Sequence, residues 1–162
     1  MLRIVPGTPP HGKPLAVHLW AWGGFQGMLR AMADQTSKPG TVGWVDLTVD
    51  DAPSIRDFYA EVLGWKPEPV PMGGYDDYTM CDGAGTARAG VCHRRGANEA
   101  IPPAWMVYFT VSDLPESLAA AVRRDAQVLV APKPGSNPFA IIKDPAGAVC
   151  ALYQVETPGD KE

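Results

Sequence analysis

The chain has 162 residues and a mass of 17.3 kDa, the usual size of one compact domain, which argues against a large multidomain assembly. Hydrophobic residues make up 46% and charged residues 20% of the sequence, so the composition is that of a soluble globular protein rather than a disordered or fibrous one. The formal net charge is -4 and no basic run is longer than a pair of arginines, which argues against nucleic acid as a partner.

The cysteines and the apolar stretches indicate a cytoplasmic protein without a membrane span. Cys81, Cys92 and Cys150 are an odd number without C-x-x-C spacing, so neither a disulfide framework nor a structural zinc site is expected. The longest apolar stretch, residues 15–33, is interrupted by glycines and polar residues, which argues against both a transmembrane helix and a signal peptide.

Residues 1–40 differ in composition from the rest of the chain and are predicted to form an N-terminal arm. Phe25, Met28, Leu29 and Met32 follow helical spacing, which predicts a short amphipathic helix over about residues 24–33. Three interpretations of the arm stay open. It docks on its own domain or on a partner subunit, it is a membrane-surface helix, or it lies upstream of an internal start such as Met28 or Met32.

Two segments of the remaining chain repeat each other at a constant offset of 62 residues. Each copy begins with alternating apolar residues, which indicate a half-buried strand, and continues through an aspartate and a proline that favour the start of a helix. The residues shared by the two copies are Val45, Thr48, Val49, Asp51 and Pro53 in the first and Val107, Thr110, Val111, Asp113 and Pro115 in the second.

Helical spacing and turn signals complete each copy. The first helix follows Asp51 and ends near Gly64, and the second follows Asp113. Short strands separated by turns are predicted after each helix, so the order is βαβββ, twice. These strands are predicted over residues 68–71, 75–81 and 87–93 in the first copy and over residues 128–131, 139–143 and 148–154 in the second, with a DPAG turn at residues 144–147.

Three segments resemble the vicinal oxygen chelate superfamily, which includes glyoxalase I, extradiol dioxygenases, fosfomycin resistance enzymes and bleomycin-binding proteins. They are VDLTVDDAPSIRDFYAEVLGW, YFTVSDLPES and IIKDPAGAVCALYQ. The resemblance covers residues 41–155 and implies an α+β fold. Two βαβββ modules, about residues 41–95 and 103–155, would form a curled mixed sheet around a cleft with the helices outside, followed by a tail at residues 156–162. It also implies a homodimer, and the cleft would form within one chain or across two.

The resemblance also implies where a divalent metal ion would be held. The ligand positions on the first strand of each module and on the last strand align with Trp44, Met106 and Ala151. Indole and methyl groups offer no donor, and a thioether is too soft for the divalent ions of this chemistry. We therefore expect no metal and no other cofactor.

Alternation along the strands predicts which side chains line the cleft. Val45, Leu47 and Val49 would pack on the first helix, and Val107, Phe109 and Val111 on the second. Such a lining, rich in aromatic residues and methionine, suits a small apolar or aromatic molecule held by few polar contacts. The expected ligand-binding residues are Trp44, Asp46, Thr48, Met106, Tyr108, Thr110, Ala151 and Tyr153.

Several of these residues have a second, purely structural interpretation. Trp44 and Met106 could fill a collapsed core. Asp46 is either a catalytic residue, acting as a general base with a pKa raised by burial, or a structural group bonded to Tyr108 or Thr48. His93 is expected at the surface. Asp76 and Asp77 are expected in turns or caps, and the cysteines as small buried side chains.

Three functions remain open from the sequence. The first is a metal-free binding protein similar to the bleomycin resistance proteins. The second is an enzyme of the lyase, isomerase or dioxygenase type, using either Asp46 as a base or a metal held by the unusual ligands Asp46, His93 and Tyr108. The third is an interaction module acting through its N-terminal arm. Nothing in the residues selects a ligand or a reaction.

Overall fold

The computed structural model describes residues 38–99, 101–132 and 139–155. The helix predicted over residues 24–33 and the tail at residues 156–162 lie outside this part of the chain. The described elements, in chain order, are β1 (Val42–Val49), α1 (Ala52–Leu63), β2 (Lys66–Pro71), β3 (Asp76–Cys81), β4 (Ala87–His93), a 3-10 turn (Gly96–Asn98), β5 (Trp105–Val111), α2 (Leu114–Arg123), β6 (Gln127–Val130), β7 (Phe139–Lys143) and β8 (Val149–Gln154).

The eight described strands form one curled sheet in the order β2-β3-β4-β1-β5-β8-β7-β6. The pairs β1–β4 and β5–β8 are parallel, and all other neighbours are antiparallel. The order within the second half mirrors that of the first. The α+β fold with two βαβββ modules, predicted from the repeat, is therefore confirmed.

The two modules meet at a pseudo-twofold axis in the middle of the sheet. Val45 and Val107 are the same position in the two copies, and they are register partners in the antiparallel pair β1–β5. Trp44 is opposite Tyr108 and Asp46 is opposite Met106. The inward-facing side chains of the two first strands therefore lie beside one another at the centre of the molecule.

The two helices begin at the aspartates that the sequence indicated. The Asp51 carboxylate accepts a hydrogen bond from the Ser54 backbone N–H, and Asp113 accepts one from Glu116. Helix α1 stops at Gly64, whose φ of 68° lies in the left-handed region that glycine adopts without strain. In each module the first and last strands are parallel neighbours joined through a helix, a connection that is right-handed as a rule, so the helices lie on one face of the sheet.

The two faces of the sheet have different cores. On the helical face, Ala52 of α1 packs against Met80 and Val91. On the opposite, concave face, a separate cluster is formed by Trp44, Ile101, Met106, Tyr108, Ile141 and Ala151. This division follows the alternation predicted for β1 and β5.

One residue on the helical face departs from the prediction. Phe109 was expected to pack against the second helix, but its side chain is 40% exposed. Helix α2 packs against β6 and β8 rather than over β5. The alternation therefore predicted correctly that Phe109 lies on the helical face, but wrongly that the second helix covers it.

The chain that precedes β1 is tied to the end of β5. The Thr110 hydroxyl donates to the Lys38 carbonyl oxygen at 2.6 Å, and the Thr110 backbone N–H donates to the Thr41 carbonyl oxygen at 2.9 Å. The Gly40 backbone N–H donates to the Thr110 carbonyl oxygen at 2.8 Å. Residues 38–41 are thus held beside Phe109.

Candidate functional site

The centre of the concave face holds a buried carboxyl group bonded to an indole. Trp44 and Asp46 are two residues apart on β1, so their side chains lie on the same face of the strand. The Trp44 Nε1–H donates to Asp46 Oδ1 at 2.6 Å, and the two residues are only 3% and 5% exposed. The pair expected to line the cleft is therefore assembled by the local geometry of one strand.

A glycine on the neighbouring strand gives the Asp46 carboxyl its space. Gly90 is the register partner of Asp46 in the parallel pair β1–β4. A β-carbon at Gly90 would overlap Asp46 Oδ1 and would lie 3.2 Å from its Cγ. The prediction of site residues missed Gly90, although a glycine inside a strand pattern is a signal that another group approaches the backbone closely.

Burial makes Asp46 a weaker acid than an ordinary aspartate. Loss of solvent raises the pKa of its carboxyl from 3.8 to about 6, the negative charge of Asp77 acts in the same direction, and hydrogen bonding to Trp44, Tyr108 and Gly90 opposes the shift. Burial also raises the pKa of the Tyr108 phenol well above its usual value. Tyr108 is therefore a neutral donor at physiological pH. It lies beside the Asp46 carboxyl, whose pKa is close to physiological pH.

The repeat explains why these two groups meet. Asp46 and Tyr108 are the same position in the two modules, 62 residues apart in the sequence. Gly90 is the register partner of Asp46, and Ala151 is the register partner of Tyr108. Small residues thus lie beside both polar side chains, and each module contributes one half of the acid–phenol pair.

The surroundings of this pair on the concave face are apolar. Met106, Ile141 and Ala151 pack together with Trp44 and Tyr108, and each of the five is less than 5% exposed. Ile101, from the segment that links the two modules, packs against the same cluster and is 8% exposed. Its backbone N–H is held by the Asn98 carbonyl oxygen at 3.0 Å. The linker therefore places an apolar side chain over the concave face.

The other expected ligand contacts lie on the same face in different surroundings. Thr48 is buried, Tyr153 is half-buried beside the concave cluster, and the Thr110 hydroxyl bonds the Lys38 carbonyl oxygen. The concave cluster thus includes five of the eight expected residues, and alternation along β1 and β5 places Asp46, Thr48 and Thr110 on the same face. Their role as ligand contacts stays a prediction.

A second buried polar pair lies at the ends of β3 and β4, where the sequence-based predictions were wrong. Asp77 was expected in a turn or cap and His93 at the surface, but they are 6% and 5% exposed. Asp77 Oδ1 accepts the His93 backbone N–H at 2.8 Å and lies 3.2 Å from His93 Nδ1. The Tyr75 ring packs edge-on against the imidazole, with centroids 4.9 Å apart. These long-range contacts leave no local signal in the sequence.

The residues at the implied metal positions do not fit a divalent ion. Trp44, Met106 and Ala151 face the concave cluster together, and none supplies an oxygen or imidazole ligand. Within the three described ranges, no group of three histidine, cysteine, aspartate or glutamate side chains is placed to hold a metal. The set of Asp46, His93 and Tyr108 contains a tyrosine and therefore stays a hypothesis, and no metal takes part in the function proposed below.

Comparison with known proteins agrees with this fold. Residues 41–152 match the model of the Glyoxalase/Bleomycin resistance protein/Dioxygenase superfamily. The chain is 33% identical over 122 residues to CFP32 of Mycobacterium bovis, provisionally named a glyoxylase, covering 72% of this chain and 46% of that protein. It is 34% identical over 160 residues to the anthracycline biosynthesis protein DnrV of Streptomyces peucetius, covering 94% of this chain and 53% of that protein.

The chain therefore spans about half the length of the curated relatives that it matches. Among solved structures, methylmalonyl-CoA epimerase from Mycobacterium tuberculosis is similar with a TM-score of 0.46 and 16% identity, covering 78% of this chain and 96% of that chain. No helix within the described residues has the length and apolar character needed to cross a membrane. The family match over most of the duplicated region, together with the two-module sheet, shows that this chain belongs to the Glyoxalase/Bleomycin resistance protein/Dioxygenase superfamily.

Proposed function

We propose that this protein binds a small apolar or aromatic molecule on the concave face of its sheet, without a metal ion, and that the Asp46 carboxyl orients the ligand. The observation that carries the proposal is a buried carboxyl within an otherwise apolar and aromatic cluster. Apolar surface provides affinity, and one fixed polar group selects the orientation of a ligand.

The identity of the polar group limits the ligand chemistry. An ionised carboxylate only accepts hydrogen bonds, so Asp46 would select a ligand that presents a hydroxyl or N–H group. The flat rings of Trp44 and Tyr108 favour a ligand that can stack against them. Two relatives are named for anthracycline biosynthesis, and an anthracycline combines fused aromatic rings with hydroxyl groups. A compound of that class is therefore a reasonable probe.

Ile101 is the side chain that a ligand would have to displace. It packs into the concave cluster from the linker rather than from the sheet, so it can move without breaking a strand pairing. We propose that the linker segment around Ile101 opens when ligand binds. Removal of the Ile101 side chain would then leave apolar space that a ligand can fill.

A second candidate is an enzyme in which Asp46 acts as a general base. The specific observation in its favour is the pKa of about 6, because a base that titrates near neutral pH is efficient in proton transfer. In that case the Asp46→Asn variant would bind the substrate and fail to turn it over. The binding function makes no prediction of turnover.

The test combines two variants with opposite expected effects. The probe is the anthracycline doxorubicin, titrated into chelator-treated, metal-free protein and followed by calorimetry. Loss of the charge in Asp46→Asn is expected to raise Kd about tenfold, corresponding to about 1.4 kcal/mol. Ile101→Ala is expected to lower Kd because the competing side chain is gone. Leu129→Ala, at a position 49% exposed on β6, serves as the matched control and should leave Kd unchanged.

Two results would contradict the proposal. If doxorubicin and a set of smaller hydroxylated aromatics fail to raise Tm at millimolar concentration, the concave face is not a binding site for this class of molecule. If one divalent ion per chain remains after dialysis of untagged protein against metal-free buffer, the metal-independent part of the proposal is wrong.

A further inference from the structure

The helical face of the sheet carries an apolar strip that the two helices leave partly exposed. Helix α1 packs against β1 to β4 and helix α2 against β6 and β8, so the outer side of β5 lies between them. Trp105 and Phe109 point outward from β5 and are 37% and 40% exposed. Val42, the register partner of Phe109, is 57% exposed. The strip follows the length of β5.

Aromatic side chains of α1 extend this strip. The Trp105 ring packs edge-on against Tyr59 with centroids 5.2 Å apart, and its Nε1–H donates to the Tyr59 hydroxyl at 3.1 Å. The Phe58 ring also packs edge-on against Tyr59, with centroids 5.0 Å apart. Phe58 and Val62, one turn apart on α1, are more than half exposed. We refer to Val42, Phe58, Val62, Trp105 and Phe109 as the helical-face patch.

An exposed apolar patch of this kind usually marks an interaction surface. The patch follows β5, between a helix packed on β1 to β4 and a helix packed on β6 and β8, and this arrangement suits a third helix. From Phe109 to Trp105 the strand rises about 13 Å, and a helix of ten residues is about 15 Å long. The predicted helix over residues 24–33 has the required length, and its apolar stripe is Phe25, Met28, Leu29 and Met32.

The chain also joins the sheet at the right place for this helix. Residues 38–41 are bonded to Thr110, so the preceding residues leave the sheet beside Phe109, at one end of the patch. Residues 34–37 would form the connection, and four residues of extended chain reach about 14 Å. A helix over residues 24–33 can therefore turn back along β5 toward Trp105 without strain.

The arm is opposite in charge to the rest of the chain, and its sequence is shared in part with a relative. Residues 1–37 contain three basic residues and one acidic residue, although the whole chain has a net charge of -4, so the arm is basic and the rest of the chain is acidic. The match to DnrV covers 94% of this chain and therefore extends into residues 1–37, since residues 38–162 are only about three quarters of the sequence.

We propose that residues 24–33 dock on the helical-face patch of their own chain as a third helix between α1 and α2. The apolar stripe would cover Trp105 and Phe109, and Arg30 would remain on the outer side of the helix. This docking is independent of ligand binding on the opposite face of the sheet.

The test uses hydroxyl-radical footprinting of the whole 162-residue chain, which reports the solvent access of individual side chains. In the wild-type protein we expect Phe58, Trp105 and Phe109 to be oxidised at least threefold more slowly than in Leu29→Asp, which places a charge on the stripe. Gln26→Asp introduces the same charge away from the stripe and should match the wild type. Equal oxidation rates in all three proteins would overturn the proposal.

A reciprocal variant keeps the test decisive if Leu29→Asp disturbs folding. Phe109→Lys changes an exposed residue of the patch and should accelerate oxidation of Met28 and Met32 by a similar factor. Light scattering during the measurement identifies the occupant. Protection of the patch that persists in the monomer supports docking within one chain. Protection that disappears when a dimer is diluted means that a second copy covers the patch, and overturns the proposal.

Discussion

The Asp46 carboxyl makes the stability of this protein depend on pH. Its pKa is raised to about 6 mainly by burial, whereas in the unfolded chain it ionises near 3.8. Between these values the folded state binds a proton that the unfolded state does not. The stabilising contribution of the protonated carboxyl is therefore full below about pH 4 and is lost as the pH rises through 6.

Asp46→Asn should remove this pH dependence. An asparagine still accepts the Trp44 indole N–H but never ionises, so the variant gains stability relative to the wild type as the pH rises. We expect the difference in free energy of unfolding to increase by up to about 3 kcal/mol between pH 4 and pH 7.5. Urea unfolding at several pH values measures it.

Asp57→Asn is the matched control for that experiment. Asp57 is exposed, and its ion pair with Arg56 lowers the pKa of its carboxyl, so any pH effect has the opposite sign. A difference between Asp46→Asn and wild type that stays constant from pH 4 to pH 7.5 would show that the Asp46 pKa is not raised in the folded protein.

At the scale of the secondary-structure elements, Thr110 connects the chain before β1 to the end of β5. Its buried hydroxyl donates to the Lys38 carbonyl oxygen and lies 3.1 Å from the Thr41 backbone N–H. Thr110→Val keeps the shape of the side chain and leaves these backbone groups without their partner. We expect a loss of about 1–3 kcal/mol in the free energy of unfolding, measured by urea titration.

Thr86→Val provides the comparison, because Thr86 is exposed and its hydroxyl has no buried backbone group to satisfy. An effect at Thr110 no larger than that at Thr86 would mean that the contact with residues 38–41 does not contribute to stability. It would also weaken the argument that the arm leaves the sheet at a fixed position.

The elements themselves were largely predictable from local patterns. The capping aspartates, the alternation of β1 and the DPAG turn each depend on residues close in sequence, and β4 and β7 have the predicted bounds. The Gly147 backbone N–H donates to the Asp144 carbonyl oxygen at 2.9 Å, as that turn requires. Predicted strand ends elsewhere differ by one or two residues, since edges depend on pairing partners.

The candidate site was predictable only in part. Alternation identified Trp44, Asp46 and Tyr108 as neighbours because the repeat places equivalent positions on one face. It did not identify Asp77 and His93, whose contact joins β3 to β4 across 16 residues. Ile101 lies in the linker, where no periodic pattern operates. Contacts between distant segments depend on the register of the whole sheet, which local patterns do not contain.

At the scale of the whole molecule, the sheet is continuous across the two modules. β1 and β5 pair along five register positions at its centre, and the concave cluster takes residues from both halves. We therefore expect the protein to unfold as one cooperative unit. Each module alone would expose the apolar side of its half of the cluster.

Leu47→Ala tests this cooperativity. Leu47 is 7% exposed in the first module, and its truncation should cost about 2–5 kcal/mol. Native-state hydrogen exchange should accelerate by the same factor for the amides of β3 in the first module and β7 in the second. Leu63→Ala, at a position 50% exposed, should change neither. Faster exchange in β3 alone would show that the modules unfold independently.

The pseudo-twofold axis restricts how similar the two halves of this protein can be. Two modules of identical sequence would place the same side chain at positions 46 and 108, on either side of the axis. Two aspartates there would be a pair of like charges without solvent, and two tyrosines would fill the centre with two bulky rings and leave no carboxyl there. An acid in one half and a phenol in the other form a complementary pair. Loss of internal symmetry at these two positions is thus what allows a duplicated chain to bury a carboxyl at its centre.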